Sequence, residues 1–421
     1  MEVFKFGGAS VKDASSVRNV GAIVTRFLGN KLIVIVSAMA KSTNKLEEIV
    51  EARKNQNLTL YNEFIEELYN FHLEIMGELF QDKDSFIYDE TEIIFKDLQD
   101  RFYRPFPENY SFEYDQVVSL GEVISSKIVA AYLTKIGISS TWVDARQLVR
   151  TDNQFQEGNL DWEKTEELIQ SKLTTDFLKK DVLVTQGFVG QTPEGFTTTL
   201  GREGSDYSAA IFAYCLNTKK VTIWKDVPGM LNADPKYFED TIKLDQISYK
   251  EAIELSYYGA SVIHPKTIKP LQNKGIPLFI KSFIQPNEQG TVIQESTVND
   301  NLIPSFIVKK DQVLFSIRPI DFSFIAEESL SDIFSKLSRY HAKINLMQNS
   351  ALSFSLLMDR KKADPEQIKK ILGDSYKIWY NDHLELVTIR HYDQQTIDLV
   401  TKGKTIILEQ KTRQTIRIVL K

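Results

Sequence analysis

A lysine inside a predicted strand, followed at once by two glycines, is the first feature of the sequence that could carry chemistry. Lys5 lies in an apolar run that begins at Val3, and Gly7, Gly8 and Ser10 come directly after it. A glycine turn that leads into a helix presents free backbone N–H groups to an anion, and a partly buried lysine needs an anionic partner. We therefore expect a phosphate-binding turn, with Ser10 as the N-cap of the next helix. From these residues alone, an edge-strand lysine beside an ordinary turn is the alternative.

A second glycine turn carries an arginine and an aspartate. The segment Thr199–Asp206 runs from a strand-like stretch into a helix predicted over Tyr207–Leu216, and Arg202 lies within it. The planar guanidinium of an arginine suits a carboxylate, and the aspartate places a fixed negative charge close by. These residue types predict recognition of a small charged ligand. A solvated loop whose aspartate caps the helix is the alternative.

Two further segments place charged residues at the ends of predicted elements. Trp224–Lys236 follows another strand and is interrupted by proline and glycine, so by itself it indicates an ordinary connection. Glu122 follows Gly121 at the start of an apolar helix, where the helix dipole favours an acid. Neither segment specifies a reaction on its own.

The composition limits the classes of protein to which these turns can belong. The 421 residues include 51 Lys plus Arg and 57 Asp plus Glu, a formal charge of −6, which offers no broad basic surface to nucleic acid or anionic lipid. Cys215 is the only cysteine, which excludes an internal disulfide, and the histidines lack metal-ligand spacing. The run 32–40 is far shorter than the ~20 residues of a membrane span. We expect a cytoplasmic, multidomain enzyme without a targeting segment, a membrane contact or a metal site of its own.

The N-terminal part of the sequence alternates strand-like and helix-like stretches. We predict strands at 3–6, 32–36, 140–143, 182–189, 221–224 and 277–281. This alternation is typical of an α/β fold with a mostly parallel sheet flanked by helices, in which ligands bind where strands end. Residues 44–113 are charged, aromatic and helical, so they indicate an inserted helical lobe.

The pattern changes after a polar stretch at 285–303, which is the best candidate for a linker. Strands and helices then follow in the order β-α-β-β-α over 313–372, and a similar order recurs over 383–420. Two successive βαββ units indicate a ferredoxin-like repeat whose second copy is shortened.

Six segments form an ordered set along the chain. They are KFGGAS at 5–10, VSAMAKSTNKL at 36–46, SLGEVIS at 119–125, TTTLGREGSDYSAA at 197–210, KDVPGMLNADPK at 225–236 and YGASVIHPKTI at 258–268. Together they resemble the aspartokinases of the amino-acid kinase superfamily. The resemblance implies an amino-acid kinase catalytic domain over 1–300, which includes the helical insertion at about 44–113, and a tandem, shortened ACT-like regulatory region over 311–421.

This resemblance implies a reaction that needs no general base. The γ-phosphoryl group of ATP would pass to the β-carboxylate of L-aspartate and give 4-phospho-L-aspartate, the first step towards lysine, threonine and methionine. A carboxylate nucleophile is already ionised at neutral pH, so the site must supply in-line alignment and charge neutralisation. The resemblance also implies Mg²⁺ bound through the nucleotide phosphates.

The resemblance assigns roles to individual residues. Lys5 and Asp206 would be catalytic, Arg202 would take the α-carboxylate of aspartate and Glu122 its α-ammonium. The implied substrate-binding residues are Ser37, Thr43, Glu122, Arg202 and Ser205. The implied ATP-binding residues are Lys5, Gly7, Gly8, Ser10, Lys225, Asp226, Leu231, Lys236 and Ser261.

Three positions depart from the family pattern, namely Ala9, Glu203 and Ser261, where threonine, glycine and lysine are usual; Lys225 or Lys266 is a candidate to compensate for the last. The ACT-like region implies at least a homodimer and an amino-acid effector, lysine or threonine. The implied effector residues are Asp321, Ser323 and Phe324. Since their turn has no glycine, we expect weak effector binding there or none.

Two alternatives stay open at this point. One is a related acyl-phosphate-forming kinase acting on glutamate or N-acetylglutamate, and the other is a catalytically weak ACT-type amino-acid sensor. A free α-ammonium needs a partner such as Glu122, which favours aspartate over an N-acetylated acid. The presence of Lys5, Arg202 and Asp206 argues against a sensor.

Overall fold

The structure is a computed structural model that describes residues 1–80, 86–260, 263–321, 323–340, 342–373 and 375–421. The described chain forms two compact units. The first comprises Met1–Met230, Lys243–Ile253 and Ser261–Asn299, and the second comprises Leu231–Ile242, Glu254–Ala260 and Asp300–Lys421.

The first unit is built on an eight-stranded sheet with the strand order β3-β4-β2-β1-β7-β9-β10-β8. Its pairs are parallel except for the antiparallel pair of β9 and β10. The strands of this unit are β1 Glu2–Phe6, β2 Leu32–Val36, β3 Ser140–Trp142, β4 Val182–Gln186, β5 Val189–Gln191, β6 Thr197–Thr199, β7 Val221–Lys225, β8 Gln246–Ser248, β9 Leu278–Ser282 and β10 Thr291–Gln294. The parallel sheet and its flanking helices confirm the predicted fold class.

The first strand lies in the middle of this sheet. Lys5 is opposite Ile35 on β2 and Ile223 on β7, and every residue of β1 is buried. Strands covered on both faces by helices have few polar positions, so a lysine there has a specific partner or a function. The edge-strand alternative for Lys5 is therefore wrong.

Helices alternate with the strands of the first unit. They are α1 Ala14–Thr25, α2 Ser42–Lys54, α3 Leu58–Leu79, α4 Phe86–Arg101, α5 Tyr110–Val118, α6 Leu120–Lys135, α7 Trp162–Phe177, α8 Gly204–Cys215, α10 Pro265–Asn273 and α9 Tyr249–Tyr258, whose last residues belong to the second unit. The first of these is capped by Asp13, whose Oδ1 accepts a hydrogen bond of 2.7 Å from the Ser16 N–H. Ser10 was predicted to be this cap; it lies instead in a short 3₁₀ turn at Gly8–Val11, and its hydroxyl donates to the carbonyl of Trp224 at 3.4 Å.

The helical stretch predicted around residues 44–113 folds into α2 to α5. A buried ion pair ties its helices together, since Glu113 accepts hydrogen bonds from Arg53 and from Arg101 (Nε to Oε1, 2.7 Å). Arg53 also donates to the carbonyl of Arg104 at 2.9 Å. The charges that the sequence shows in this region thus include a largely buried ion-pair network around Glu113.

Two strand-level predictions were wrong in detail. The run 182–189 does not form one strand, because β4 ends at Gln186 and Phe188 has a left-handed backbone (φ 70°) before β5 begins. The polar stretch 285–303 is not a plain linker either, since β10 lies within it and pairs with β8 and β9. Hydrophobic runs in the sequence do not mark such chain reversals.

The second unit has a six-stranded antiparallel sheet in the order β12-β13-β11-β14-β16-β15. Its elements are β11 Ser305–Pro319, α11 Glu327–Arg339, β12 Ile344–Asn349, β13 Phe354–Asp359, α12 Pro365–Leu372, β14 Tyr376–Arg390, α13 Gln394–Thr401, β15 Ile406–Lys411 and β16 Thr415–Leu420. The two long strands β11 and β14 pair at its centre, so both predicted βαββ units contribute to one shared sheet. This arrangement is the C-terminal part of the predicted fold class.

One described helical run, Tyr110–Lys135, is long and apolar enough to cross a membrane by composition alone. However, 78% of its most apolar window is buried inside the fold. A core helix of a globular protein has the same composition, and this burial supports that interpretation.

Candidate active site

A cavity of about 600 Å³ opens in the first unit where β1, β2 and β7 end and α8 begins. Its lining includes all seven residues predicted to bind substrate or to act in catalysis, and also Gly8 and Lys225, which were predicted to bind ATP. The seven are Lys5, Ser37, Thr43, Glu122, Arg202, Ser205 and Asp206. The glycine turns that are far apart in sequence therefore meet in one place, at the strand ends where open α/β sheets bind ligands.

The centre of the cavity is a buried ion pair. The Nζ atom of Lys5 lies 2.6 Å from Oδ1 of Asp206, and Nζ of Lys225 lies 3.6 Å from Oδ2 of the same carboxylate. Burial alone would raise the pKa of Asp206, but the two lysines outweigh that effect and hold its pKa below the ordinary value. Asp206 therefore carries a fixed negative charge that orients two ammonium groups towards the cavity.

Glu122 is the most isolated charged group of the site. It lies in the first turn of α6 with 4% of its surface exposed, and its Oε2 has no hydrogen-bond partner among the described residues. Burial raises the pKa of Glu122 to about 8, although hydrogen bonds from backbone N–H groups at Ala38 and at Glu122 itself, and the charge of Lys5, act in the opposite direction. A buried acceptor without a donor is costly, so this oxygen is suited to a ligand that brings a positive donor.

The first glycine turn approaches the loop that follows β2 too closely for a side chain. A Cβ atom at Gly8 would lie 2.8 Å from the carbonyl oxygen of Ala38 and 3.0 Å from that of Ala40. Because both obstacles are backbone atoms, they cannot move aside cheaply. This contact fixes the β1 turn against the start of α2, where Thr43 lies.

Strained backbone is concentrated around this cavity. The described chain has nine non-glycine residues with a left-handed φ, and four of them line the cavity: Ala40 (φ 49°), Gln156 (φ 69°), Phe188 (φ 70°) and Glu203 (φ 54°). Such conformations cost of order 1–3 kcal/mol each and are found preferentially at functional sites. The clustering supports the assignment of the cavity as the active site independently of the predicted residue types.

A buried aspartate braces two of the lining segments. The carboxylate of Asp115 on α5 accepts hydrogen bonds from the Gln156 N–H at 2.9 Å, from the Thr199 N–H at 2.9 Å and from the Thr199 hydroxyl at 2.7 Å. Burial raises the pKa of Asp115 to about 6 against the opposing effect of these hydrogen bonds. The residue positions the wall of the cavity without lining it.

Several predicted residues lie outside the cavity lining. Gly7 and Ser10 flank the first turn, and Asp226 is exposed after β7. Leu231 and Lys236 belong to a segment of the second unit, and Ser261 lies outside the described residues. Their roles at the nucleotide stay predictions.

The predicted effector residues form an exposed turn after β11. The Ser323 N–H donates to Oδ1 of Asp321 at 3.0 Å, and hydrogen bonding from Ser323 lowers the pKa of Asp321. Phe324 is 72% exposed. The role of these residues in effector binding stays a prediction.

Ten of the residues that line the cavity were not among the predicted site residues. They are Ala38, Ala40, Tyr114, Gln156, Glu157, Phe188, Thr199, Gly201 and Gly204, together with Glu203, which had been noted only as a departure from the family pattern. Phe188 lies within the strand predicted at 182–189, which gave no indication that it lines a cavity. The polar Gln156 and Glu157 lie in a loop with no recognisable motif, so no sequence signal was available for them.

Comparisons with known proteins agree with this geometry. The model of the amino acid kinase family matches residues 1–282. The chain is 30% identical over 357 residues to lysine-sensitive aspartokinase 3 of Escherichia coli, which covers 85% of this chain and 78% of that protein. It is 31% identical over 308 residues to a bifunctional aspartokinase/homoserine dehydrogenase of Zea mays, covering 71% of this chain but only 33% of that longer protein.

Among the solved structures, one that is similar to this chain covers its whole length. The crystal structure of Escherichia coli aspartokinase III in complex with aspartate and ADP superposes with a TM-score of 0.82 at 26% identity, covering 100% of this chain and 96% of that chain. Aspartate kinase of Clostridium acetobutylicum, at 24% identity and a TM-score of 0.81, shares the fold. With the ordered motifs and the cavity described above, the chain belongs to the amino acid kinase family and, within it, to the aspartokinases.

Proposed function

We propose that this protein is an ATP-dependent aspartate kinase that transfers the γ-phosphoryl group of ATP to the β-carboxylate of L-aspartate. The observation that carries the proposal is the cavity in which the Lys5–Asp206 pair, the exposed Arg202 and the unpaired Glu122 occur together. The chain is also similar to a structure that holds aspartate and ADP, which supports aspartate and ATP as the substrates of this protein.

Aspartate would be held by complementary charges at its α-carbon. Arg202 lines the cavity and makes no ion pair within the described chain, so its guanidinium is available to the α-carboxylate. The unpartnered Oε2 of Glu122 would accept a hydrogen bond from the α-ammonium. Hydroxyl groups of Ser37, Thr43 and Ser205 lie on the same lining and would donate to the carboxylates.

Phosphoryl transfer would depend on charge neutralisation. The Lys5 ammonium, held by Asp206, would face the transferring group, and Lys225 would add a second positive charge near the same carboxylate. Backbone N–H groups of Gly7 and Gly8 would complete the cradle at the end of β1. Since the nucleophile is a carboxylate, alignment and electrostatic stabilisation account for catalysis, and no proton acceptor is required.

Mg²⁺ would reach the site on the nucleotide. Among the described residues no three His, Cys, Asp or Glu side chains form a metal cluster, and Asp206 is the carboxylate at the centre of the cavity. This donor set fits an ion held mainly by phosphate oxygens and water, which needs one or two protein carboxylates at most. When bound, the ion would neutralise phosphate charge during the transfer.

Regulation, assembly and location extend this proposal. The shared antiparallel sheet of the second unit supports a pair of ACT-like domains that bind an amino-acid effector, and Asp321, Ser323 and Phe324 are the residues proposed to contact it. Lysine sensitivity is a property of the Escherichia coli relative. We propose lysine as the first effector to test, a homodimer as the minimum assembly and the cytoplasm as the location.

A hydroxamate assay tests the function directly, because hydroxylamine traps the acyl phosphate. Aspartate, glutamate and N-acetylglutamate are compared as acceptors, with Lys41→Ala as a matched control for Lys5→Ala, since Lys41 is exposed and outside the cavity lining. We expect ATP-dependent hydroxamate with aspartate alone, lost in Lys5→Ala and kept in Lys41→Ala. Product with either other acid instead would identify a related kinase, and no product with any acid would favour a sensor.

A further inference from the structure

We propose that Glu203 is a second specificity-determining residue, whose carboxylate shares the α-ammonium group of aspartate with Glu122. The inference rests on the proposed function, since it assigns a contact within the same substrate site. It concerns a residue that neither the family motif nor the roles above assign.

Glu203 has a left-handed backbone conformation, which is strained for a residue other than glycine. It immediately precedes α8 with φ 54° and ψ 30°, in the left-handed region. A side chain in that region costs roughly 1–2 kcal/mol, whereas a glycine adopts it freely, as Gly201 does in the same turn (φ 76°). A glutamate at this position therefore destabilises the turn relative to glycine. The conformation of the turn gives no reason for a glutamate side chain here.

The side chain of Glu203 has a second unfavourable feature. It is half-buried, it lines the cavity, and its Oε2 is buried without a hydrogen-bond partner in the described part of the chain. It also forms no ion pair with the adjacent Arg202 among the described residues. A buried carboxylate oxygen that lacks a donor loses its hydration without replacement. Two such costs at one residue are compensated when a ligand brings a donor to it.

The charges around the cavity indicate which part of the ligand brings that donor. The cations Lys5, Lys225 and Arg202 suit the phosphates and carboxylates of the substrates, and Asp206 is already engaged by both lysines. A carboxylate at Glu203 would repel those anionic groups. The only cationic group of aspartate is its α-ammonium, which offers three N–H donors, more than the single free oxygen of Glu122 can accept.

This arrangement would sharpen the selection of the amino acid. An N-acetylated acid has no ammonium group, so its binding would leave two buried carboxylates unpaired instead of one. Sites built to hydrogen-bond a group discriminate strongly against analogues that lack it, because the buried partners stay unsatisfied. Glu203 would therefore act with Glu122 against N-acetylated substrates.

The test uses Glu203→Gln and Glu203→Gly in the full-length protein, with Glu157→Gln as the control. Glu157 is an exposed acid on the lining of the same cavity. We expect the KM for aspartate to rise about tenfold or more in both Glu203 variants, with kcat and the KM for ATP close to those of the unaltered protein. We also expect Glu203→Gly to have a higher melting temperature, because glycine relieves the left-handed strain.

Stabilisation by aspartate gives a readout that does not need turnover. Raising the aspartate concentration should raise the melting temperature of the unaltered protein and of Glu157→Gln, and much less that of Glu203→Gln. If the unaltered protein forms no hydroxamate but this pattern holds, the proposed function fails while the recognition role of Glu203 stands. An unchanged KM and an unchanged aspartate-dependent shift in both Glu203 variants would overturn the inference. A change confined to ATP or to the Mg²⁺ requirement would also overturn it, in favour of a metal or nucleotide contact.

Discussion

Each unit of the molecule contains a buried polar cluster, and the two clusters differ in how their groups are paired. In the second unit, Asn345 donates to Gln312 at 2.8 Å and to Asp359 at 2.9 Å, while Lys309 donates to Asn345 at 2.8 Å. The cluster closes on itself across three neighbouring strands. In the first unit, Glu122 and Glu203 each keep a buried carboxylate oxygen that has no hydrogen-bond partner among the residues that the structure describes.

This difference distinguishes a structural cluster from a binding site. A closed network satisfies its own members and contributes to the stability and register of the strands that carry it. An open network carries a cost in the free protein that a ligand of the right chemistry removes. Substitutions in the first unit's cluster should therefore change catalysis more than stability, and those in the second unit's cluster the reverse.

Replacing Lys5 by alanine should produce the largest effect. The substitution removes the ammonium group that faces the transferring phosphoryl group, and loss of one such electrostatic donor typically lowers kcat by about 10²–10³-fold. Asp206 keeps Lys225 as a partner, so the fold should be retained. Steady-state kinetics with circular dichroism checks both parts. Near-normal turnover would remove Lys5 from the catalytic residues.

Replacing Arg202 by alanine should affect binding of one substrate only. We expect the KM for aspartate to rise by about 10–100-fold, since a charge-assisted contact with the α-carboxylate is lost. The KM for ATP should stay close to normal. Initial rates measured against each substrate separate the two effects, and an equal loss for both would contradict the assignment of Arg202 to aspartate.

Replacing Asn345 by alanine should lower the stability of the protein and leave substrate binding almost unchanged. Its loss leaves Lys309, Gln312 and Asp359 short of hydrogen bonds, so we expect the free energy of unfolding to fall by about 1–3 kcal/mol. The KM values should change little. Denaturant unfolding measures the effect, with Asn349→Ala as the control because Asn349 is exposed on the same strand. A large loss of activity with unchanged stability would contradict the interpretation of the second unit's cluster as structural.

The smallest expected effect concerns the pH dependence of stability. Because the pKa of Glu122 is raised from 4.5 to about 8 in the folded protein, the folded state retains a proton that the unfolded chain releases. Its contribution to stability is complete below about pH 4.5 and is lost as the pH rises through about 8. Glu122→Gln, which stays neutral, should show a flatter decline in melting temperature between about pH 4.5 and about pH 8. An identical decline in both proteins would show that Glu122 is not the group responsible.

The fold was largely predictable because its elements have strong periodicity. Leu32–Val36 is a continuous apolar run and proved to be a central strand with the predicted ends, and the order β-α-β-β-α predicted over 313–372 matches β11, α11, β12, β13 and α12. The break after Gln186 was not predictable, since it depends on a left-handed Phe188 packed by tertiary contacts. The same holds for β10, whose partners β8 and β9 lie elsewhere in the sequence.

The site residues were predictable where a charged side chain lies within a recognisable glycine turn. Lys5, Arg202 and Asp206 lie in glycine turns whose residue types already indicate binding of anions and carboxylates. Asp115 gave no such signal, because its role depends on three hydrogen bonds to Gln156 and Thr199, which are distant in sequence. The unpaired state of Glu122 was likewise invisible, since burial is a property of the packed helix.

We expect the carboxylates of Glu122 and Glu203 to receive the α-ammonium of aspartate. Titration calorimetry of aspartate binding at neutral pH, with saturating ADP and in buffers of different ionisation heat, tests this expectation most directly. With a pKa of about 8, Glu122 is mostly protonated in the free protein and must ionise to pair with the ammonium. We therefore predict that binding releases a proton and that Glu122→Gln abolishes the release. Aspartate binding with no proton release, and with equal affinity in Glu122→Gln, would contradict the account.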